Sequence, residues 1–208
     1  MFQAVFSAAI DCVFPHICAG CGLSGTPLCV SCVQNLPPAR QPAVRRPQTI
    51  AVYDYRSGIT RAAIHALKYR RNTELIRLFA RILAPYIARQ PFEAPVLIPI
   101  PPHRKRRLAR GWSQTHRLAR ELERQTGVPR RSDILYRTRP VKAQAGLAHA
   151  ERRKNVADSF KARFRSEVAR GNLILVDDVT TTGATLREAY AALQGAGYKH
   201  IRAITIAH

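Results

Sequence analysis

Residues Leu173 to Thr185 read LILVDDVTTTGAT. Four apolar residues run into two adjacent aspartates. Small and hydroxyl-bearing residues around one glycine follow, and then the helix-forming LREAYAALQGAG. A short apolar run bounded by polar residues reads as a strand buried on both faces, the mark of a parallel sheet covered by helices. Asp177 and Asp178 then fall at the carboxyl end of that strand, where open α/β sheets bind their ligands. Thr180, Thr181, Thr182, Gly183, Ala184 and Thr185 carry little bulk. Their backbone N–H groups can curl around an anion while the following helix points its positive dipole end at it. Paired carboxylates repel a phosphate but suit sugar hydroxyls or a hydrated Mg²⁺. The stretch therefore describes a site for a ribose carrying a 5′-phosphate. The plainer alternative is a strand-to-helix turn that carries two exposed aspartates.

Working outward from that stretch, strand and helix patterns alternate. TIAVYDY reads as a strand and ITRAAIHALKYRR as an amphipathic helix. TELIRLFARILAPYIARQ is a second helix, perturbed at Pro85, and PVLIPI is a short buried strand. SQTHRLARELERQTG is a third helix, ended by Gly127. DILYRT is a short strand, and HIRAITIA closes the sheet. This order predicts an α/β fold, a parallel sheet flanked by helices. No run approaches the roughly 20 apolar residues that cross a bilayer. The opening MFQAVFSAAIDCVFP lacks a basic start, and Asp11 interrupts its apolar run. It reads as a short helix packed on the protein rather than an export signal, with surface anchoring as the alternative.

All five cysteines lie before residue 33, and four form pairs, Cys18/Cys21 and Cys29/Cys32. Each C-x-x-C turn puts two thiolates on one side of a bend, and two such turns close a tetrahedral Zn²⁺ site. Gly20 and Gly22 are read as backbone freedom for the first turn. Four protein ligands leave no open position, so the zinc is expected to be structural. Disulfides or a redox dithiol are the alternatives, but little else suggests a secreted chain and a redox site needs only one pair. Cys12 reads as a small buried hydrophobe, and His16 is a weaker competitor for the metal. The expected organisation is a four-cysteine module at 1–36, a proline-rich linker at 37–48 and the sheet-bearing domain at 49–208.

The formal net charge is +21, and residues 103–165 carry +14 of it. Phosphates of a small ligand need only a few cations; a field of this size attracts polyanions through counterion release. The alternative is an arginine-rich composition coating a solvated face. Two segments concentrate the charge. Between strand and helix, IPIPPHRKRRLARGWSQ offers His103, Arg104, Lys105, Arg106, Arg107 and Arg110 toward the same crevice as Asp177. Trp112 is the only tryptophan, read as helix-start packing ahead of a stacking platform for a base. From Arg137 to Phe160, RTRPVKAQAGLAHAERRKNVADSF is a long polar loop that includes Lys142 and Arg153. Such a loop in a compact domain suits a lid that excludes water from a reactive centre.

The Leu173–Thr185 stretch resembles, at all thirteen positions, the motif by which type I phosphoribosyltransferases bind 5-phosphoribosyl 1-diphosphate (PRPP). The resemblance implies that the two acids hold ribose hydroxyls, that residues 180–185 cradle the 5′-phosphate, and that Mg²⁺ accompanies the diphosphate. The wider pattern is narrower in family. Cys18/Cys21 and Cys29/Cys32 are followed by Leu67-Lys68-Tyr69, Ile98-Pro99-Ile100-Pro101, Arg110-Gly111-Trp112-Ser113-Gln114, Arg137, Arg139, Gln144, Arg153 and Asn155, then by the DDVTTTGAT loop. This order is similar to the ComF family of late competence proteins, including the GntX-like proteins. Trp112-Ser113 stands where that family has Phe-Asn. The resemblance implies a phosphoribosyltransferase-like sheet behind a zinc-ribbon-like module, and a cytoplasmic protein, at the inner face of the membrane in one version. It also implies a role in single-stranded DNA uptake during natural transformation beside other competence-machinery proteins. Lys68, His103, Arg104, Lys105, Arg106, Arg107, Arg110, Lys142 and Arg153 are then candidates for diphosphate or nucleic-acid contacts. The alternative is an active phosphoribosyltransferase that transfers phosphoribose to a nucleobase or other small nucleophile. No catalytic base for an acceptor is identifiable in the sequence.

Overall fold

The apolar run at 173–176 opens a seven-residue strand, Leu173–Val179, of which six residues are buried. The structure, a computed structural model, describes residues 17–40, 46–69, 72–89, 91–102, 113–138, 159–168 and 171–208. In chain order its elements are α1 (Val30–Gln34), β1 (Gln48–Tyr53), α2 (Gly58–Tyr69), α3 (Thr73–Ala88), β2 (Val96–Pro99) and α4 (Gln114–Thr126). There follow β3 (Leu135–Arg137), β4 (Phe160–Ala162), a 3₁₀ turn (Ser166–Val168), β5 (Leu173–Val179), α5 (Ala184–Gly195) and β6 (Ile201–Ala207).

Strands β1, β6, β5 and β2 form a four-stranded parallel sheet in that order, with Ile98 opposite Leu175 and Val176 opposite Ile204. Successive side chains on a strand point to opposite faces. Ile174 and Val176 belong to one core with Ile64 and Leu67 of α2, Leu75, Phe79 and Leu83 of α3, and Leu118 and Leu122 of α4. Leu173 and Leu175 belong to the other, with Leu186, Ala189 and Leu193 of α5, and with Leu135 and Phe160. Burial on both faces is why these strands read as continuous apolar runs rather than as alternation.

HIRAITIA completes the sheet from within: β6 lies between β1 and β5, and every residue of it but Arg202 is buried. One expectation is corrected. The strand in DILYRT is not part of the parallel sheet. β3 pairs antiparallel with β4 as a separate ribbon, with Leu135 and Phe160 turned inward and Tyr136 and Lys161 exposed. Only an antiparallel pair tolerates one wet face so readily. As the sequence reading has it, Pro85 lies inside α3, which continues to Ala88.

The helix ends follow the sequence. Asn72 Oδ1 accepts the N–H of Leu75 at the start of α3, Ser113 Oγ accepts that of His116 at the start of α4, and Gly127 closes α4. The described part of the connector is extended, in keeping with its prolines. Ala39 N–H donates to Val52 O at 2.8 Å and Asp54 N–H to Pro37 O at 2.9 Å, so this stretch covers the outer edge of β1. Those two bonds occupy groups at the end of β1 that would otherwise be open to another chain. The cysteine segment is packed rather than loosely tethered: Cys18, Leu28, Cys29, Cys32 and Leu36 share the apolar cluster of Ile64 and Leu67. Among the described residues no helix is long and apolar enough to cross a membrane. The opening segment, Cys12 and His16 lie outside the described residues.

Candidate functional site

The carboxyl end of the sheet collects the acidic pair. Asp177 continues the register of Leu173 and Leu175 toward the α5 face, opposite Thr205 of β6, which is itself fully buried. Asp178 continues that of Ile174 and Val176 toward the α2 face, where Lys68 Nζ lies 3.6 Å from its Oδ2. Both aspartates are buried, each 9% exposed. Asp178 N–H donates to Asp177 Oδ1 at 2.9 Å and Val179 N–H to Asp178 Oδ1 at 2.8 Å. Burial, and then the neighbouring Asp178 carboxylate, push the Asp177 carboxyl well above the usual range, against the pull of Lys68. A buried carboxylate with this much unrelieved cost gains from hydroxyl donors or a cation.

The loop after β5 is built for close approach. Thr180 is buried, with its N–H on Ala207 O at 3.0 Å and its carbonyl accepting from His208 Nδ1 at 3.1 Å. His208 is in turn bonded to β1's end, its N–H on Tyr53 O and its O accepting from Tyr55 N–H. Three strand ends are thereby joined under the loop. Nothing in the sequence marks His208 for that task. Thr181 and Thr182 are exposed, and Gly183 turns the chain at φ 73° into the first turn of α5. That left-handed backbone costs other residues about 1–2 kcal/mol. Arg187 Nη1 donates back to Thr182 O at 2.8 Å and steadies the turn. The arrangement offers carboxylate acceptors, a glycine-marked bend and a helix start within one β-strand-to-helix passage.

α4 and α2 are tied together at the same end of the sheet. Gln114 Nε2 donates to Lys68 O at 3.4 Å, and Thr115 Oγ1 to Ile100 O at 2.7 Å. So Gln114, the last residue of the Arg110–Gln114 motif, holds the turn that carries Lys68. Arg137 Nε donates to Pro101 O at 2.9 Å, and Thr138 N–H donates to Ser159 O at 3.1 Å. The chain therefore enters segment 103–112 and segment 139–158 from neighbouring points at the sheet's carboxyl edge. His103, Arg104, Lys105, Arg106, Arg107, Arg110, Trp112, Lys142 and Arg153 themselves lie outside the described residues. Of the predicted contact residues, Lys68 alone is described, and it meets the acidic pair.

At the front of the chain the ligand sulfurs of Cys18, Cys21, Cys29 and Cys32 lie within 4.8 Å of one another. Cys21 Sγ and Cys29 Sγ are 3.7 Å apart. Tetrahedral zinc with Zn–S bonds of about 2.3 Å requires a spacing of roughly 3.8 Å, so the set fits a metal ion such as zinc. Burial raises the Cys18 thiol, but the N–H groups of Cys29, Cys21 and Gly20 outweigh it and hold the group down at about 6. Burial and the thiols around it push Cys32 up to about 12. Of the two glycines read as flexible, Gly22 has the left-handed φ, at 80°. Gly20 instead provides space: a Cβ there would stand 2.6 Å from Cys32 Sγ and 3.1 Å from Ile59 Cγ2 at the start of α2.

No protein-family model matches the chain. Among curated proteins it is similar to competence protein F of Haemophilus influenzae, at 34% identity over 107 residues. That match takes in 51% of this chain and 47% of that protein, so it spans about half the relative's length. It is 28% identical over 180 residues to the DNA utilization protein YhgH of Escherichia coli K12, across 83% of this chain and 75% of that one. It is 29% identical over 184 residues to competence protein ComFC of Bacillus subtilis, across 86% and 71%. The chain is a homologue of these proteins, and the ComF resemblance read from the sequence is borne out.

Proposed function

We propose that this homologue of competence and DNA utilization proteins binds PRPP, or a related phosphoribosyl ligand, and single-stranded DNA, and serves DNA uptake in natural transformation. The observation that carries the ligand half is the passage from the buried Asp177–Asp178 pair through the left-handed Gly183 into α5. The carboxylates accept the ribose hydroxyls, and the loop Thr180–Thr185 takes the 5′-phosphate through its N–H groups beyond Thr180, whose own N–H is held by Ala207 O. A diphosphate brings its own Mg²⁺, whose charge relieves the acidic pair. The +14 of residues 103–165 supports the nucleic-acid half. Zinc at Cys18, Cys21, Cys29 and Cys32 is structural, since all four tetrahedral positions are supplied by protein. The division into module 1–36, connector 37–48 and sheet-bearing part 49–208 belongs to this proposal, as does a cytoplasmic site of action.

Calorimetric titration of the full chain with Mg²⁺–PRPP, and with single-stranded DNA at two salt concentrations, tests both halves. Asp178→Ala should abolish the PRPP heat. Replacing Arg104, Lys105, Arg106 and Arg107 together by Gln should weaken DNA binding and reduce its salt dependence. Unchanged PRPP affinity in Asp178→Ala refutes the ligand half, and salt-insensitive or absent DNA binding refutes the other. Diphosphate release on adding a nucleobase with PRPP would establish a transferase instead.

A further inference from the structure

We infer that the outward face of the β3–β4 ribbon, Tyr136 with Lys161 and Arg163, is a stacking surface for single-stranded nucleic acid. The inference rests on the nucleic-acid reading above and supplies described residues for it. Antiparallel register sets Tyr136 opposite Lys161, while the alternate residues Leu135 and Phe160 are buried in the core. The Arg163 guanidinium carbon lies 5.2 Å from the centroid of the Tyr136 ring, and Tyr136 is 38% exposed. The guanidinium stands over one face of the ring, so the pair offers a stacking surface on the guanidinium or on the ring's other face, with a second cation, Lys161, directly across the ribbon.

The cations on this flank differ in their commitments. Arg131 and Arg165 are matched by acids: Arg131 bonds Asp133 and Glu167, and Arg165 lies 3.2 Å from Asp133. Among the described residues no acid forms an ion pair with Lys161 or Arg163. An exposed ring beside two cations that no described acid pairs adds little to folding. It does match a nucleotide: the base stacks on the ring or guanidinium face, and the flanking phosphates displace counterions at the cations. The ribbon is also placed for it. Arg137, next to Tyr136, is anchored to Pro101 O at the carboxyl edge of β2. The intervening sequence from 139 to 158 carries five further basic residues. An acidic protein would use the cations without the ring, and an anionic membrane would demand apolar side chains around it. Charge and aromatic contact together favour the single strand, whose bases are free to stack.

The test uses the full chain and a fluorescein-labelled oligodeoxythymidine, read by anisotropy at several salt concentrations. Tyr136→Ala should bind about tenfold more weakly with little change in salt slope, and Tyr136→Phe should bind as wild type does. Lys161→Gln with Arg163→Gln should flatten the log–log slope by about 1.4, that is about 0.7 for each phosphate no longer neutralised. Circular dichroism and PRPP binding should be unchanged in all three. If wild type binds the oligonucleotide and these variants bind it equally, with the same slope, the platform is wrong and the nucleic-acid reading stands. If wild type binds no oligonucleotide at low salt, both fall. Equal affinity for duplex, or variants that lose only binding to anionic vesicles or an acidic protein, would also overturn the assignment.

Discussion

Two clusters of acidic groups lie in the same molecule, four thiols at residues 18–32 and two carboxylates at residues 177–178. Both are mostly buried, and both hold groups that repel one another when ionised. They differ in how far the fold completes them. The cysteine sulfurs lie within 4.8 Å of one another, close enough for one ion to bind the whole set, which would leave no open tetrahedral position. The carboxylates receive one cation, Lys68, at 3.6 Å from Asp178. Among the described residues no cation is within ion-pair reach of Asp177, and a turn with Thr181 and Thr182 exposed follows at once. On the reading proposed above, the complete donor set is a staple and the incomplete one beside its loop is a place for a ligand to bind.

The strongest way to break the comparison is to remove the staple. Cys29→Ser, or chelation of the wild type, should release the metal and lower the melting temperature by about 10 °C or more, a destabilisation of several kcal/mol. The loss should reach the sheet-bearing part, because Cys29 and Cys32 share a cluster with Ile64 and Leu67. Metal analysis and thermal melting measure both. A melt unchanged over residues 49–208 would show that the two parts are independent after all. Gly20→Ala is the milder form. Its Cβ would crowd Cys32 Sγ and Ile59, which should cost about 1–3 kcal/mol and weaken metal retention.

The opposite signature is expected at the acidic site. Gly183→Val forces a branched side chain into a left-handed turn, at about 1–2 kcal/mol, and should remove PRPP binding with zinc content unchanged. Asp177→Asn should separate stability from function. A carboxyl raised in the folded state keeps its proton there after the unfolded chain has lost it, so ionisation subtracts stability as pH rises above about 4. The variant should therefore be more stable than wild type at pH 7, by on the order of 1 kcal/mol, and no more stable at pH 3. Its PRPP affinity should fall. Denaturant melts at the two pH values check the sign. Equal stability at both would mean that the pair is already relieved in the free protein.

Much of this is legible in the chain. The Leu173–Thr185 stretch predicts its strand, the place of its acids and the helix behind them, because burial on both faces and a glycine-marked turn are local patterns. The cysteine spacing predicts a cluster for the same reason. What the sequence misplaces is positional. Gly20 reads as a flexible turn residue, yet its lack of a side chain makes room for Cys32 and Ile59. DILYRT is a strand, but its partner is β4 and not the parallel sheet. His208 carries no signal at all, because its role comes from two strand ends that meet it only in space.

The sequence by itself determined the periodicities, the ligand types and the order of elements, since each depends on neighbours a few residues apart. Only the tertiary structure decided which distant groups face one another. It brought Lys68 of α2 to Asp178 of β5, held that turn with Gln114, and set Gly20 against Ile59. Among the described residues it also left Lys161 and Arg163 without an acid while Arg131 and Arg165 were matched. The reason is that burial and Coulombic energy depend on distance in space, and the packing of both faces of one sheet sets those distances.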